Sequence, residues 1–355
     1  MDEQALLEHF SKYTENEAFY KEYYEAKKDK KQFDMFLHTI VSSRPLKYSQ
    51  WLPELHMAGA DYISELYIED NSANVSFIKH ERYTPLFLHE HAFFEMIYVF
   101  SGSCENTIEG TPIHMKQHDI CIIAPGVSHT LGVFDDESII INVIIRKSTF
   151  KEVFFDIFTD DAALSLFFSH ILYAKDSNSY IFFATQGNAL LHSTINLFLT
   201  EGIIQEQYSV KAMENLLRTI FCQLLRSHEA IVSKKAVAQS SEIYKILRYI
   251  QNHYKDVTLN ELAEQFNYSP TYIGNMIKRQ TGTSFIKIVR DIRLTKACAM
   301  LRETNLQINE ICYQVGYEST EFFIRTFKQT YQCTPGEYRR QAAGIVKDKS
   351  NYLQN

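Results

Sequence analysis

Apolar residues follow three textures along this chain. Up to about residue 60, and again over 150–232, they recur at steps of three and four among polar residues, the spacing of amphipathic helices. From Asp61 to Arg146 short runs of β-branched and aromatic residues replace that period: NVSFI at 74–78, EMIYVF at 95–100, DICII at 119–123 and SIIINVII at 138–145. Ser101-Gly102-Ser103, Glu109-Gly110, Pro125-Gly126 and Asp135-Asp136 punctuate them. Several short strands at this spacing predict an antiparallel sandwich or small barrel. A short β-like run, Tyr180–Ala184, interrupts the second helical stretch. Within that stretch Met213, Leu217, Ile220 and Leu224 form one helical stripe. Two heptads leave both a coiled-coil seam between subunits and packing against the sheet open. SKKAVAQSS at 233–241 is polar and unpatterned, as a linker is. From Glu242 to about Ala343 the pattern is helical throughout.

That last stretch repeats itself. In VTLNELAEQFNYSPTYIGNMIKRQTG, 257–282, Thr258 caps a helix whose core face is Leu259, Leu262, Ala263 and Phe266. A break at Asn267-Tyr268 follows. Ser269 caps a second helix with Pro270 at its first position, where the missing N–H costs nothing. Tyr272, Ile273, Met276 and Ile277 are its expected core residues. In QINEICYQVGYESTEFFIRTFKQTYQ, 307–332, the same roles fall to Ile308, Ile311, Cys312 and Val315, to the turn Gly316-Tyr317, to the cap Ser319, and to Phe322, Phe323 and Phe327. Each segment predicts a helix-turn-helix. The second helices are in register at an offset of 50: Ser269 with Ser319, Ile273 with Phe323, Ile277 with Phe327. Ser284–Thr304 reads as one helix about 30 Å long, close to the ~34 Å repeat of the DNA major groove. The outward positions are Thr271, Gly274, Asn275 and Lys278 on one helix, and Thr320, Glu321, Ile324, Arg325 and Lys328 on the other. Asn275 suits adenine and Thr271 a thymine methyl, while Arg325 suits guanine or phosphate and Lys328 phosphate. Glu321 suits cytosine, or orients Arg325.

The pattern I-x-x-I-C/A-x-x-V-G-Y/F-x-S-x-x-x-F-x-R-x-F-K, with T-P-x-x-Y-R after it, runs from Ile308 through Gly316, Ser319, Phe323, Arg325, Phe327, Lys328, Thr334 and Pro335 to Arg339. It resembles the signature of the AraC/XylS transcription regulators over about 242–340. One departure is Gln332, where members carry glycine before the Thr-Pro step. The resemblance implies a regulator that binds duplex promoter DNA, responds to a small-molecule effector, dimerises and contacts RNA polymerase. It favours activation over repression and a sugar or related metabolite as effector.

In HEHAFFEMIYVFSG, 89–102, His89, His91 and Glu95 share parity, so on one strand they would face one side. A second block ends in Pro125-Gly126-Val127-Ser128-His129. Together they resemble the two motifs of a cupin, a small double-sheet jelly roll. In cupin enzymes the matching residues hold a divalent metal. Here His118 stands where glycine normally precedes Asp119 and the second block loses its spacing. His89, His91, Glu95 and His129 are therefore expected to line an effector pocket, with no metal and no other cofactor. His114 and His118 show no ligand spacing.

Composition changes little of this. The chain has 355 residues, 45% hydrophobic and 22% charged, ordinary for a globular protein. No apolar run is long enough to span a membrane, and no secretory leader is expected at MDEQALLEHFSKY. The six cysteines form no C-x-x-C pair; they are expected to be reduced, mostly core residues of a cytoplasmic protein. Charge is more telling. Residues 242–355 hold 16 Lys+Arg and 11 Asp+Glu, net +5, against −12 for residues 1–241, which suits a local polyanion site.

The chain is thus expected to be α+β. Its order is a helical extension (1–60), a cupin-like sensing domain (61–149), a helical dimerisation region (150–232), a linker (233–241), a double helix-turn-helix domain (242–343) and a tail (344–355). It is expected to be a regulator and not an enzyme. The alternative is a cupin metalloenzyme, an isomerase or dioxygenase, fused to a DNA-binding domain. A repair methyltransferase with similar helices would need a cysteine-rich zinc site and a nucleophilic cysteine motif, which this sequence lacks.

Overall fold

The computed structural model describes residues 1–43, 52–54, 61–63, 74–147, 149–150, 180–185, 187–227, 230–232 and 241–342. The tail, residues 151–179 and all of the expected linker but Ser241 lie outside the described residues. The chain divides into two compact units, one of residues 1–172 and 176–239, the other built mainly of residues 240–355.

Two sheets form the first unit. The five-stranded sheet runs in the order β1 (Asp61–Ile63), β3 (His89–His91), β8 (His129–Gly132), β5 (Ser103–Ile108), β6 (Thr111–Lys116). The six-stranded sheet runs β11 (Ala230–Val232), β10 (Tyr180–Phe183), β7 (Ile120–Ile123), β4 (Phe94–Ser101), β9 (Ile139–Ile145), β2 (Val75–Lys79). All neighbours are antiparallel except β1 and β3. Strands β7 and β9 are buried at every position. An unbroken apolar run is what a strand covered on both faces requires.

Helices provide that cover, and here the structure decides one open point and corrects one expected boundary. Met213, Leu217, Ile220 and Leu224, on α5 (Ser209–Ser227), are buried in one core with the sheet and with Leu191, Ile195, Phe198 and Leu199 of α4 (Ala189–Ile204). The stripe is packing within one chain, not a seam between two. The stretch expected to be helical apart from the β-like run Tyr180–Ala184 supplies both β10 and β11 to the six-stranded sheet, so the sheet does not end at 149. The N-terminal helices α1 (Glu3–Ser11), α2 (Glu15–Ala26) and α3 (Lys30–Ser43) are likewise part of the unit. Leu6 and Phe10 join the sheet core. The buried carboxylate of Glu17 pairs with Arg82 at 2.9 Å and Lys79 at 2.8 Å. Burial raises the Glu17 pKa, but these partners outweigh it and hold the group ionised.

The second unit is all helical: α6 (Ser241–Asn252), α7 (Leu259–Gln265), α8 (Pro270–Thr281), α9 (Phe285–Glu303), α10 (Ile308–Gln314), α11 (Thr320–Tyr331) and α12 (Pro335–Ala342). The expected caps are in place. Thr258, Ser269, Ser284 and Ser319 each accept a main-chain N–H three residues on. Gly282 ends α8 in the left-handed region. Helix α9 is the spine. Leu294, Ala297, Cys298 and Leu301 on its C-terminal half form one core with Ile311, Cys312, Val315, Phe323 and Phe327 of the second helix-turn-helix. Arg293 donates from Nε to the Tyr254 carbonyl at 2.8 Å and from Nη2 to that of Lys255 at 2.6 Å, tying the spine to the segment after α6.

Candidate functional site

The second helices of the two helix-turn-helix units, α8 and α11, are built alike. Over 271–280 and 321–330 the order of exposed, half-buried and buried positions is the same, residue for residue. Ile273, Met276 and Ile277 point inward on α8; Phe323, Thr326 and Phe327 do so on α11. Thr271, Asn275, Lys278, Glu321, Arg325 and Lys328 are exposed, and Thr320 is half-buried. Two expected core residues are not in the core: Tyr272 and Phe322 are half exposed. Each lies one residue before the inward Ile273 or Phe323, at the border of the buried face, where a period of 3.6 does not separate core from rim. Arg325 lies over the Phe322 ring, 5.4 Å from its centroid.

The second site is a cavity of about 320 Å³ inside the first unit. His89, His91, Glu95 and His129 all line it, and all are buried. They do not share one strand. His89 and His91 lie on β3 of one sheet; Glu95 lies on β4 of the other and meets them across the sandwich. His129 on β8 pairs in register with His89, their ring centroids 4.1 Å apart.

The ring nitrogens are strongly constrained. Nδ1 of His89, His91 and His129 meets the carbonyls of Phe87, Phe93 and Val127 at 3.3, 2.8 and 3.1 Å. A carbonyl only accepts, so each Nδ1 carries a proton. Nε2 of His91 and of His129 both face Glu95 Oε2, at 3.3 and 3.1 Å. A neutral ring would aim a lone pair at an anionic oxygen. Each contact therefore requires a second proton on the ring or a cation between the groups. Burial pushes the His89 pKa down to about 3, with His129 adding to it, so this ring is neutral and its Nε2 is a lone-pair donor. Burial alone would raise the Glu95 pKa, but His129 and His91 overcome it and hold the carboxyl well below the usual range. Donor atoms of His89, Glu95 and His129 lie within 4.8 Å of one another. This donor set fits a divalent transition metal. Imidazoles whose outer nitrogen is tied to a main-chain carbonyl are the ones metals select.

The structure adds two residues that the sequence did not single out. His80 Nε2 and Asn142 Oδ1 are buried beside the cavity without a hydrogen-bond partner. Asn142 was visible as the one polar residue inside SIIINVII; His80 carried no signal. His114 sits on β6 against Glu105, while His118 stacks on His192, centroids 3.8 Å apart.

A double-sheet domain enclosing a polar cavity, followed by a domain of paired helix-turn-helix units, defines a two-part class of protein. Residues 74–144 match the family described as AraC-like ligand binding domain, and residues 262–341 the family described as helix-turn-helix domain. Regulatory protein PocR of Salmonella typhimurium is 34% identical over 102 residues, 28% of this chain and 34% of that protein. The HTH-type transcriptional activator RhaS of Escherichia coli is 21% identical over 261 residues, 73% of this chain and 89% of that protein. The structure of ToxT from Vibrio cholerae with unsaturated fatty acid bound covers 78% of this chain and 99% of its own, at 15% identity and a TM-score of 0.32. The chain spans 22–39% of the length of four curated relatives, PocR among them. Over residues 74–144 and 262–341 the chain is thus similar to AraC-type transcription regulators. No helix among the described residues is long and apolar enough to cross a membrane.

Proposed function

We propose that this chain is a ligand-responsive regulator that binds promoter DNA through α8 and α11 and acts as an activator. The observation that carries this is the repeated face: the same burial order on two capped helices, joined by a 19-residue spine. At 1.5 Å per residue the spine is about 28 Å long. Thr271, Asn275, Lys278, Thr320, Glu321, Arg325 and Lys328 are assigned to DNA. The activator RhaS and the other named relatives support a regulator over an enzyme, and contact with RNA polymerase follows from activation.

A fragment of residues 236–355 is expected to bind duplex DNA, with affinity falling steeply as salt rises. Arg325→Ala should cost about 1–3 kcal/mol and relax preference at one base, whereas Lys328→Ala should weaken all sequences alike. A folded fragment that ignores duplex DNA at low salt would end this reading.

Within the expected dimerisation region, 150–232, a homodimer fits a face of α4 rather than the buried stripe of α5. On α4, Leu190, Leu197 and Ile204 are 65%, 57% and 47% exposed, spaced by seven residues on one stripe. Leu197→Asp should turn a dimer into a monomer in sedimentation velocity.

The effector enters the cavity among His89, His91, Glu95 and His129. The paired lone-pair contacts on Glu95 Oε2 favour a second reading of that site, in which a divalent cation is the effector or bridges to it. Metal-free protein should then develop the visible absorption of cobalt bound to nitrogen and oxygen when Co²⁺ is added, and Glu95→Gln should lose it. Protein that binds neither Co²⁺ nor Zn²⁺ holds protons there instead.

A further inference from the structure

We propose that Tyr272 and Phe322 read thymine methyl groups in the major groove; this rests on the DNA-binding reading above. Each ring is the third residue of its helix, after the serine cap and one residue before the inward Ile273 or Phe323. They are 49% and 50% exposed, whereas Ile273 and Phe323 are fully buried. The two positions match at the offset of 50 that relates the helices, so the exposure occurs twice at one place in the motif.

Half-exposed rings leave apolar area in water that a partner would remove. Their surroundings restrict that partner. Thr271, Asn275 and Lys278 accompany Tyr272 on the exposed surface of α8, and Glu321, Arg325 and Lys328 accompany Phe322 on α11. That is a polar, cation-bearing surface with one apolar spot, unlike an apolar patch that docks on another protein. In the major groove the thymine C5-methyl is the apolar feature of the base edges, and a phenyl ring is among the groups that contact it. N-terminal residues of a recognition helix are the ones that reach base edges.

Neighbours also hold both rings in place. Tyr272 packs on Tyr268 with centroids 4.9 Å apart, and Phe322 on Tyr317 at 6.0 Å, with the Arg325 guanidinium 5.4 Å from the Phe322 centroid. Little rotamer freedom is left to lose on binding. Because Arg325 and Phe322 touch, a guanidinium contact and a methyl contact would fall on the same or neighbouring base pairs. The site read by α11 should therefore contain thymine at or next to the position Arg325 selects.

The test uses the full chain and a duplex selected by it from a random-sequence 40-base-pair pool. Each thymine of that duplex is replaced in turn by deoxyuridine, which removes only the methyl. Binding is measured for wild type, Tyr272→Ala, Phe322→Ala and Phe322→Leu, with melting curves confirming folding. For wild type, at least one replacement under each helix is expected to weaken binding about fourfold, the worth of one buried methyl. Phe322→Ala should bind the thymine and uracil duplexes equally at its position, Phe322→Leu should keep part of the difference, and Tyr272→Ala should act likewise at its own position. The proposal is overturned if wild type shows no thymine-to-uracil loss, or if the alanine variants keep it in full; weaker binding without that change would place the rings on sugar and phosphate. A wild-type chain that selects no sequence and binds no duplex at low salt would instead remove the regulator reading, a distinct outcome.

Discussion

Gln332 is the residue where this chain departs from the AraC pattern, and its backbone shows what the departure costs. It caps α11 with φ +59°, the left-handed region that Gly282 occupies at the matching end of α8 with φ +68°. A side chain there is strained by roughly 1–2 kcal/mol, while glycine loses about 0.4–1 kcal/mol through its freer unfolded state. Gln332→Gly should therefore stabilise the second unit by up to about 1 kcal/mol, read as a rise in denaturation midpoint at constant m-value. An unchanged or lower midpoint would show that the Gln332 side chain, which donates to the Gln329 carbonyl at 3.2 Å, offsets the strain. Such positions were legible in the sequence, as were the caps, because local hydrogen-bonding chemistry fixes them. Tyr272 and Phe322 were not. Aromatic residues beside a core position look like core in any helical period, and only packing decides which ring is covered.

At the scale of elements, the runs apolar on both faces, β4, β7 and β9, were legible, and the short or half-polar strands were not. Burial in SCENTI alternates strictly, but one of its buried residues is Asn106, and in TPIHMK only Met115 is buried, so neither shows the apolar alternation a period-two reading needs. Strand β3 is only three residues long. The histidine cluster was nonetheless foreseen, for a partly mistaken reason: the parity of His89, His91 and Glu95 survives although the chain changes sheets between them. The helix-turn-helix turns were easier, because each requires a left-handed residue. Asn267 supplies it in the first unit with φ +57° and Gly316 in the second with φ +91°. They are not equivalent. A Cβ on Gly316 would stand 2.4 Å from the Lys255 carbonyl oxygen, the same carbonyl that Arg293 grips. Gly316→Ala should thus cost more than about 2 kcal/mol and disturb the second helix-turn-helix, whereas Asn267→Gly should be close to neutral. Chemical denaturation of both variants checks this, and equal losses would refute the close-approach argument.

Over the whole molecule, division into a double-sheet unit, proposed above as the sensing unit, and a helix-turn-helix unit, proposed as the DNA-binding unit, was legible from texture and charge. The weaving of residues 1–43 and 180–232 into the sensing unit was not, since those contacts are distant in sequence. That weaving leaves one closed unit around buried imidazoles, which sets its response to acid. Free imidazoles titrate near 6.5. Burial pushes His80 down to about 4 and His89 to about 3, opposing charges included. Below pH 6.5 the unfolded chain therefore binds protons that the folded unit refuses, and stability falls with pH through that window, by up to about 1.4 kcal/mol per unit for each ring. Glu95 adds to the loss at lower pH: its folded pKa is depressed, so its contribution is present above the usual carboxylate range and disappears as pH falls through the folded value. The groups facing these rings across the cavity, Lys79, Glu81, His91 and His129, belong to the same unit. Calorimetry should therefore show the transition of the sensing unit moving to lower temperature between pH 7 and pH 5, by several degrees. His80→Asn should reduce that movement while leaving the transition of the DNA-binding unit in place. A sensing-unit transition that stays fixed over this range would mean that the folded unit takes up protons as readily as the unfolded chain, and that the imidazoles are open to water.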